Sequence, residues 1–484
     1  MENEKAPLLA RAKEYVPAPL RRHNDTPQPR RFLHITIMLL ATLTLFRLLL
    51  VLSYLTLGYL TPTTSPTPLS RAHAVLTSNP LIDGHDDLLI SLRAYYGNHL
   101  YANSTFQDKF LHGGLEGHLD VPRIQAGQLG GSFWSAFVPC PRNGSDFSNA
   151  AYAPYVRATL EQLDLYNRLG ELYPAYFTPA GTAREAEEAF RQGRLISPLA
   201  IEGLHQIGNS VATLRLFHQL GVRYATLTWN CHNKYADAAL VSDEKGETVV
   251  SKPLHYGVSE EGRRLVHEMN RLGMLVDLSH VSPDTMRDVL YGNWKTGEPR
   301  QWEGSLAPVI FSHSSVKAIC PHPRNVPDDV LRLVKEKRGL VMINFAPDFI
   351  SCKEGEEGDK ALPDFVEETN TLEQVVKHIM YVGDLVGYDH VGLGTDFDGI
   401  PNTPRGLEGV DKFPNLVAEL LRRNVSEKDA GKVVGRNLLR VWKEADEVSA
   451  RMKKEGWLPL EDDVRFSPGA IEISDILDLY EDGF

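Results

Sequence analysis

The chain has 484 residues, 42% hydrophobic and 24% charged, which is long and apolar enough to bury a large core and excludes a disordered protein. Its formal net charge of -12 argues against a nucleic-acid partner, because phosphate binding needs a surplus of Lys and Arg on one face. The composition therefore predicts one large domain with appendages, or two domains.

An apolar run near the start of the chain, residues 32–60, is long enough to cross a bilayer as a helix. Arg47 opposes insertion by roughly 2.5 to 3.5 kcal/mol, but the leucines of the run contribute about twice that in the opposite direction. Basic residues crowd segment 1–31, so the positive-inside bias predicts a cytosolic tail and a single-pass type II protein whose bulk is lumenal or extracellular. A secretory signal peptide is the alternative, although its apolar region usually spans only about 7 to 15 residues.

The segment after this run, residues 61–71, is rich in Pro, Thr and Ser and is typical of a stiff stalk. The chain has four cysteines, an even number that fits two bridges in an oxidising compartment. Three triplets match the acceptor pattern for glycans on the lumenal side: Asn103, Asn143 and Asn424.

Between residues 72 and 445, short apolar runs alternate with amphipathic stretches, as expected of repeated β and α units around a parallel sheet. Eight runs are predicted as strands: residues 81–87, 130–140, 197–203, 222–230, 273–280, 307–313, 339–345 and 390–398. Eight units in roughly 330 residues fit a (β/α)8 TIM-like barrel better than an open sheet.

Local signals mark the boundaries of several helices. Ser282-Pro283 is typical of a helix start, since serine caps the first turn and proline suits its first position. Three helical stretches end at a glycine, which can adopt the left-handed conformation that stops a helix: Gly221, Gly273 and Gly339. Residues 446–484 are acidic and irregular, and we expect a tail that is packed on the barrel or partly mobile.

Polar residues stand at the C-terminal ends of five predicted strands, which in a barrel meet at one mouth where active sites of this fold lie. In the first strand, His85 and Asp87 point to the same face, about 7 Å apart along the backbone, and can bind one ion. The other members of the set are Glu202, His280, His313 and Asp396. Each of them alone is more often a turn, core or ion-pair residue, but together they predict a metal site.

Imidazole and carboxylate ligands, with no thiolate required, suit Zn²⁺, and a bridging carboxylate would divide them into two adjacent sites. Two metals about 3.5 to 4 Å apart can hold a hydroxide between them and polarise a carbonyl group. The set therefore predicts metal-assisted hydrolysis of an amide or ester, with Asp396 left as a proton carrier.

Longer motifs surround these residues: IDGHDD, GGSFWSAFVPC, IEGLHQIG, TLTWNCHNKYAD, VDLSHVS, PVIFSHSS, RNVPDDVL and GLGTDFDG. In this order, over about residues 75 to 445, they resemble the membrane (renal) dipeptidase family of the amidohydrolase superfamily. The resemblance implies a (β/α)8 barrel that holds two zinc ions and cleaves dipeptides.

The resemblance also implies a role for each metal ligand. By analogy, His85 and Asp87 bind one zinc and His280 and His313 bind the other. Glu202 would then bridge the two ions.

Substrate contacts and disulfides follow from the same resemblance. Arg324 would bind the terminal carboxylate of the dipeptide through paired hydrogen bonds, and Asp396 would carry a proton from the attacking water to the leaving amine. The resemblance implies two disulfides, Cys140 to Cys231 and Cys320 to Cys352. The alternative is that these four cysteines are buried free thiols.

Three features depart from the mammalian relatives. Trp229 stands where a substrate-contacting histidine is expected. Either Asn230 or His232 would supply the missing hydrogen-bond donor to the developing oxyanion, or Trp229 would narrow the pocket. No cysteine follows Cys352, which leaves a non-covalent homodimer open in place of a disulfide-linked one. The N-terminal helix, and not a C-terminal lipid, would anchor the protein.

The sequence therefore predicts a binuclear zinc hydrolase that cleaves dipeptides. One alternative is a zinc amidohydrolase of the same fold that acts on another small amide, such as a cysteinylglycine conjugate or a β-lactam. The other is a non-catalytic, membrane-tethered binding protein.

Overall fold

The computed structural model of the chain describes residues 29–60, 66–292, 302–355 and 361–462. The chain divides into two units, Met1–Ser65 and Pro66–Phe484. Three predicted segments fall wholly or partly outside the described residues: the N-terminal tail before residue 29, the stalk over 61–65 and the acidic tail over 463–484.

The first unit contains one helix, α1 (Pro29–Leu60), among its described residues. Its large apolar side chains between Leu33 and Val51 are 53% to 69% exposed and occur on every face of the helix. The stretch Leu33–Ser53 is long and apolar enough to cross a membrane. The apolar run predicted from the sequence is therefore a single continuous helix.

The second unit alternates helices and strands. Its helices are α2 (Pro68–Ser78), α3 (Leu88–Tyr96), α4 (Ser104–His112), α5 (Val121–Gly127), α6 (Asn149–Leu172), α7 (Ala183–Arg191), α8 (Val211–Gln219), α9 (Glu260–Leu272), α10 (Pro283–Tyr291), α11 (Asp328–Glu336), α12 (Pro347–Ile350), α13 (Leu372–Val386), α14 (Phe413–Arg422), α15 (Glu427–Gly431) and α16 (Asn437–Lys454). Its strands are β1 (Leu81–Asp86), β2 (Leu129–Ser135), β3 (Leu199–Glu202), β4 (Val222–Thr226), β5 (Leu240–Ser242), β6 (Thr248–Val250), β7 (Leu275–Asp277), β8 (Ile310–Phe311), β9 (Leu340–Ile343), β10 (Cys352–Lys353), β11 (Asp364–Phe365) and β12 (Val391–Leu393).

Eight of these strands form one parallel sheet in the order β1-β2-β3-β4-β7-β8-β9-β12. The sheet closes on itself where Asp87 N donates to Phe397 O at 2.8 Å and Asp396 N donates to His85 O at 3.1 Å. All eight predicted strands are confirmed, and the fold is a TIM barrel flanked by helices. The sequence did not indicate the two short antiparallel pairs, β5-β6 and β10-β11, which lie in the loops.

Alternation along the barrel strands separates an inner from an outer core. One apolar cluster, shared with α16, contains Ile82, Phe133, Ala200, Tyr224, Leu275, Ile310, Leu340 and Met342. Their chain neighbours belong to the cluster that packs under the other helices: Leu81, Trp134, Ile201, Ala225, Val276, Phe311, Val341 and Ile343. The barrel is therefore filled with side chains, and α16 closes its N-terminal end.

Most of the predicted helix signals act as expected. Ser282 Oγ accepts from Thr285 N at 3.2 Å, and Gly273 ends α9 with a φ of 83°. At the end of α11, however, Arg338 adopts the left-handed conformation, with a φ of 57°. Gly339 is required for space instead, because a Cβ there would lie 2.8 Å from Val309 O.

The last helix, α16, continues to Lys454. The boundary predicted at residue 445 therefore falls inside a regular helix whose buried face includes Val448 and Met452. The exposed side of this helix carries ion pairs such as Lys443 with Glu447.

Candidate active site

The residues predicted at the strand ends meet at the C-terminal end of the barrel. His85 Nε2 lies 3.2 Å from Asp87 Oδ2 and 3.5 Å from Glu202 Oε2. The other oxygen of the same glutamate, Oε1, lies 2.7 Å from His280 Nε2 and 3.4 Å from His313 Nε2. Glu202 thus stands between two pairs of residues, one facing each of its carboxylate oxygens.

Asp396 completes the cluster on the side of the first pair. It forms a group with His85 and Asp87 in which one ligand atom of each residue lies within 4.8 Å of the others. The side chains of His85, Asp87, Glu202, His280 and His313 are all buried. The structure therefore brings all six predicted residues together.

The proton positions of His313 follow from its neighbours. Ser312 Oγ donates to Asp277 Oδ2 at 2.6 Å, since a carboxylate oxygen can only accept. The same Oγ lies 2.7 Å from His313 Nδ1 and must accept the proton of that nitrogen. The Nε2 atom of His313 is left with a lone pair that faces the cluster.

His85 and His280 are oriented in the same way. Tyr224 donates its hydroxyl proton to Gly84 O at 3.1 Å, so its oxygen accepts from His85 Nδ1 at 2.6 Å. The Nδ1 atom of His280 lies 2.9 Å from Asn230 Oδ1, an amide oxygen that only accepts. Such partners fix the tautomer of a metal-ligating histidine and turn its other nitrogen to the ion.

These contacts test whether the residues fit a metal. Two lone-pair atoms, His280 Nε2 and His313 Nε2, lie 3.0 Å apart, and the first also faces a carboxylate oxygen. Asp87 Oδ1 is buried without a hydrogen-bond partner among the described residues. Acceptor atoms that converge in this way repel one another unless a cation lies between them, so the cluster fits metal ions.

The electrostatics of the cluster indicate the same need for positive charge. Burial lowers the pKa of His280 and of His313 well below the ordinary value, and Arg324 adds to the effect, so both rings are neutral. Burial is also the main reason that the pKa of Glu202 rises to about 7. Burial opposes a charge on His85, yet the carboxylates of Asp87 and Glu202 raise its pKa well above the ordinary value.

Arg324 is buried beside the cluster and keeps donors free. Its Nη2 atom donates to His313 O at 3.4 Å, and its guanidinium lies 5.0 Å from the centre of the Phe349 ring. Its Nε atom has no hydrogen-bond partner within the described part of the chain. Burial lowers the pKa of Arg324 to about 10, so the side chain stays charged at neutral pH and can bind an anion.

Asp396 is held in place by its surroundings. Its backbone has a φ of 67°, and Asn344 Nδ2 donates to its Oδ2 atom at 3.0 Å. A side chain at position 399 would collide with this cluster, since a Cβ on Gly399 would lie 2.2 Å from Asp87 Oδ2 and 2.9 Å from Asp396 Oδ1. This position therefore requires glycine for close approach.

The three residues of the TWNCH segment differ in position. Trp229 and Asn230 both line the cavity above the cluster. His232 does not join them: its Nδ1 atom accepts from Ala238 N at 3.2 Å and lies 3.3 Å from Asp237 Oδ1. The ring of His232 therefore lies against the loop at residues 237–238, and its contact with substrate stays a prediction.

A cavity of about 720 Å³ opens above the cluster. Asp87, Glu202, His280, Arg324 and Asp396 line its base. Its walls carry apolar side chains from the loops and helices that follow several strands: Ile90, Phe137, Trp229, Phe349 and Ile400. A volume of this size is typical of a small-molecule site.

Both disulfides implied by the family resemblance are present. Cys140–Cys231 joins the loops after β2 and β4 with a Cα–Cα distance of 6.2 Å, and Cys320–Cys352 has a Cα–Cα distance of 4.9 Å. Of the three glycan asparagines, Asn143 and Asn424 are exposed. Asn103 is half-buried and caps α4, where its Oδ1 atom accepts from Phe106 N at 3.1 Å.

Sequence reasoning missed the residues that orient the ligands. Tyr224 lies in an apolar strand and Ser312 directly follows one, and neither gave a signal of its own. Asp277 and Asn344 did give one, since each is a polar residue near the end of a strand that is otherwise apolar. Their importance depends on contacts with distant parts of the chain, which spacing alone does not predict.

A parallel barrel with buried histidines and carboxylates at its mouth defines a metal-dependent hydrolase. The profile of the family described as membrane dipeptidase, peptidase family M19, matches residues 69–456. The chain belongs to this family and is a dipeptidase, a peptide-bond hydrolase.

Two fungal relatives show similarity over most of their length. Dipeptidase aclJ of Aspergillus oryzae is 43% identical over 399 residues, which cover 82% of this chain and 85% of the relative. Dipeptidase tcpJ of Claviceps purpurea is 42% identical over 381 residues, covering 79% of this chain and 80% of the relative.

Solved structures of bacterial proteins share the fold. A metallopeptidase of Rhodobacter sphaeroides, solved with a phosphinate mimic of the dipeptide L-Ala-D-Ala, has a TM-score of 0.61 and 26% identity, and covers 76% of this chain and 99% of its own. The probable dipeptidase PvdM of Pseudomonas aeruginosa has a TM-score of 0.64 at 19% identity over 79% of this chain and 99% of its own, a likeness of fold.

Proposed function

We propose that the protein hydrolyses dipeptides with two zinc ions held at the barrel mouth. His85 and Asp87 would hold one ion and His280 and His313 the other. Glu202 would bridge the two, because its oxygens face the two pairs separately, Oε2 toward His85 and Oε1 toward His280 and His313. This division of one carboxylate between two sets of nitrogen ligands is the observation that carries the proposal.

When bound, zinc ions activate water as a nucleophile at neutral pH and polarise a carbonyl group. The chain's own residues supply binding and proton transfer. Arg324 binds the terminal carboxylate of the dipeptide, since it is charged, buried and has donors to spare at the cavity base. Anchoring this end positions the peptide carbonyl above the metal ligands.

Asp396 moves the proton. It lies beside His85 and Asp87 and faces the cavity, so it can accept a proton from the attacking water. The same proton then passes to the leaving amine as the C–N bond breaks, so that one water is consumed and a carboxylate and an amine are released. The hydrogen bond from Asn344 keeps the carboxylate in reach of both positions.

Metal content and hydrolysis by the full-length protein in detergent test this proposal. We expect close to two zinc ions per chain and hydrolysis that a chelator abolishes and zinc restores. Glu202→Gln should lower kcat/KM by roughly a thousandfold and the zinc content with it, because the amide cannot bridge two cations. Wild-type turnover in this variant would contradict the assignment.

Glu268 offers a matched control. It is a buried glutamate far from the mouth, where its two oxygens accept from Arg271 at 2.7 Å each. Glu268→Gln should lower the free energy of unfolding, since it removes a charged hydrogen-bond partner. Its zinc content and its kcat/KM per folded molecule should remain those of the wild type.

The binding of the substrate carboxylate by Arg324 has its own test, which compares hydrolysis of a dipeptide with hydrolysis of its C-terminal amide. The wild type should favour the free acid by roughly tenfold to a hundredfold, the worth of a charge-assisted hydrogen bond. Arg324→Met should abolish this preference. Arg405→Met should keep it, because Arg405 lines the outer wall and is already paired with Glu367 at 2.8 Å.

We also propose that α1 spans a membrane with the barrel on the lumenal or extracellular side. The basic segment 1–31 and two disulfides support this orientation. The protein should resist extraction from membranes by alkali, and glycosidase treatment should increase its mobility. Replacing Asn103, Asn143 or Asn424 by Gln should each remove a glycan from a protein so oriented, and a wild type without any glycan would contradict it.

All four cysteines are paired within the chain, so the association proposed for the protein is a non-covalent homodimer. Sedimentation of the detergent-solubilised protein under oxidising and reducing conditions tests this. The mass of a dimer in both conditions is the expected result.

A further inference from the structure

Two aromatic rings form one wall of the cavity. The rings of Phe137 and Trp229 pack edge to face, with centroids 4.9 Å apart and an interplanar angle of 61°. Both are half-buried and both line the cavity. The Trp229 ring is also 6.2 Å from the ring of His280, so this aromatic pair lies directly beside the metal ligands.

The backbone holds the aromatic pair in a fixed position. Phe137 is three residues before Cys140, and Trp229 is two residues before Cys231. The disulfide between these cysteines therefore cross-links the two loops that carry the rings. Gln162 Nε2 also donates to Phe137 O. A surface that is rigid before substrate arrives loses little entropy on binding, which favours its use as a subsite.

The order of the strands places Phe137 across the mouth from Arg324, and Trp229 two strands away from Arg324. Phe137 follows β2 and Trp229 follows β4, whereas Arg324 follows β8, which is the sixth of the eight barrel strands. A dipeptide with its carboxylate on Arg324 directs its first residue away from that side. The side chain of the first residue is therefore the part of the substrate that reaches the aromatic pair.

The cavity as a whole has room for a large group. A dipeptide of small residues fills only part of about 720 Å³, since cavities of roughly 300 to 1,000 Å³ hold drug-sized ligands. Ile90 in α3, the helix after β1, and Ile400 in the loop after β12 line the same cavity. Apolar surface thus extends from the aromatic pair to the elements that follow β1 and β12.

We propose that Phe137 and Trp229 form the subsite for the first residue of the dipeptide and select a large apolar, above all aromatic, side chain there. This inference rests on the proposed dipeptide hydrolysis and names its preferred substrate class. Histidine, the residue that the family resemblance leads us to expect at position 229, would offer a polar contact to the substrate. The indole of Trp229 offers apolar area instead, so this position favours burial of an apolar side chain over hydrogen bonding.

A series of X-Gly dipeptides tests the subsite, with X as Gly, Ala, Leu, Phe and Trp, on the zinc-loaded full-length protein. We expect kcat/KM to rise along the series and to be roughly tenfold to a hundredfold higher for Phe-Gly than for Gly-Gly. This is the gain in binding that burial of an aromatic side chain provides. The parallel series Gly-X should respond less, because its side chain lies on the side of Arg324.

Variants then assign the preference to the aromatic pair. Trp229→Ala and Phe137→Ala should each reduce the Phe-Gly to Gly-Gly ratio toward one, and Trp229→Phe should retain most of it. Trp457→Ala is the matched control, because Trp457 is 42% exposed and packs on His267 of α9. It should leave the ratio unchanged.

The outcomes separate this inference from the proposed function. No hydrolysis of any dipeptide by the zinc-loaded protein would overturn both. Hydrolysis with equal kcat/KM along the X-Gly series would overturn the subsite alone. So would a higher Phe-Gly to Gly-Gly ratio in Trp229→Ala, since it would mean that the indole obstructs the pocket, or a loss confined to the Gly-X series.

Discussion

The two ends of the barrel are built from different side chains. At the N-terminal end, α16 closes the interior with Trp442, whose ring lies 5.4 Å from that of Phe133 and is fully buried. At the C-terminal end the interior is lined by histidines and carboxylates around Glu202. The closed end provides apolar burial, which stabilises the fold, and the open end gathers repelling acceptor atoms, which stabilise it only when a cation is bound.

Tyr224 is the boundary between these two environments. Its ring packs against Phe133 at 5.1 Å within the apolar interior, while its hydroxyl accepts from His85 Nδ1 at 2.6 Å. One side chain therefore belongs to both ends. Variants on either side of this layer should separate stability from chemistry.

Trp442→Ala should have the largest effect on stability. Truncating a fully buried tryptophan removes its contacts and leaves a cavity under the barrel, at a cost of about 3 to 5 kcal/mol in the free energy of unfolding. Guanidinium unfolding with the disulfides intact measures this change. Zinc content and kcat/KM per folded molecule should not change, because the proposed metal ligands lie at the opposite end of the barrel.

Trp442→Phe sharpens that comparison. The Nε1 atom of Trp442 is buried without a hydrogen-bond partner among the residues that the structure describes, so phenylalanine removes an unsatisfied donor and keeps a ring. Its cost should be about 1 to 2 kcal/mol. A loss of zinc in either variant would mean that the two ends are coupled through Tyr224.

Asn230→Ala should have the opposite effect to the Trp442 variants: weaker zinc binding with little change in stability. Without the amide oxygen, the His280 ring loses the acceptor that holds its proton on Nδ1. Loss of such a supporting contact typically weakens metal binding by roughly tenfold to a hundredfold. Titration of the metal-free protein with zinc should show weaker binding of one of two ions, with an unfolding midpoint close to that of the wild type before zinc is added.

A double variant tests whether this loss acts through His280. Asn230→Ala added to His280→Ala should weaken zinc binding no further, because the supporting contact has nothing left to orient. Additive losses would assign Asn230 a direct contact with the ion or substrate.

The sequence predicts the site better than it predicts the support of the site. Glu202 and His313 could be found because a parallel barrel brings the ends of all its strands together, so position along each strand is sufficient. The residues that orient the histidines, Asn230 for His280 and Tyr224 for His85, could not be found in this way. Their roles depend on side-chain directions that tertiary packing sets. For the same reason, spacing does not show that the loop turns His232 toward Asp237, so a substrate contact by this residue stays a prediction.

The closed end of the barrel also contains a partly buried carboxyl group, that of Asp446. Its removal should have the smallest effect on the free energy of unfolding. Asp446 in α16 accepts from Ala183 N at 3.0 Å, and burial, partly offset by Arg223, raises its pKa from 3.8 to about 6. The folded protein therefore keeps a proton that the unfolded chain releases between these values. Ionised Asp446 destabilises the fold as the pH rises from 4 to 6, and the full penalty remains above pH 6.

Asp446→Asn should remove this penalty while an amide oxygen still accepts from Ala183 N. We expect the free energy of unfolding to rise by about 1 kcal/mol at pH 7.5, a value reduced by solvent screening, and to change little at pH 4. Glu447→Gln, on the exposed side of the same turn, should have little effect at either pH, since its pairing with Lys443 is a surface contact. A gain in Asp446→Asn that is equal at pH 4 and pH 7.5 would show that packing, and not the buried charge, limits stability at this end of the barrel.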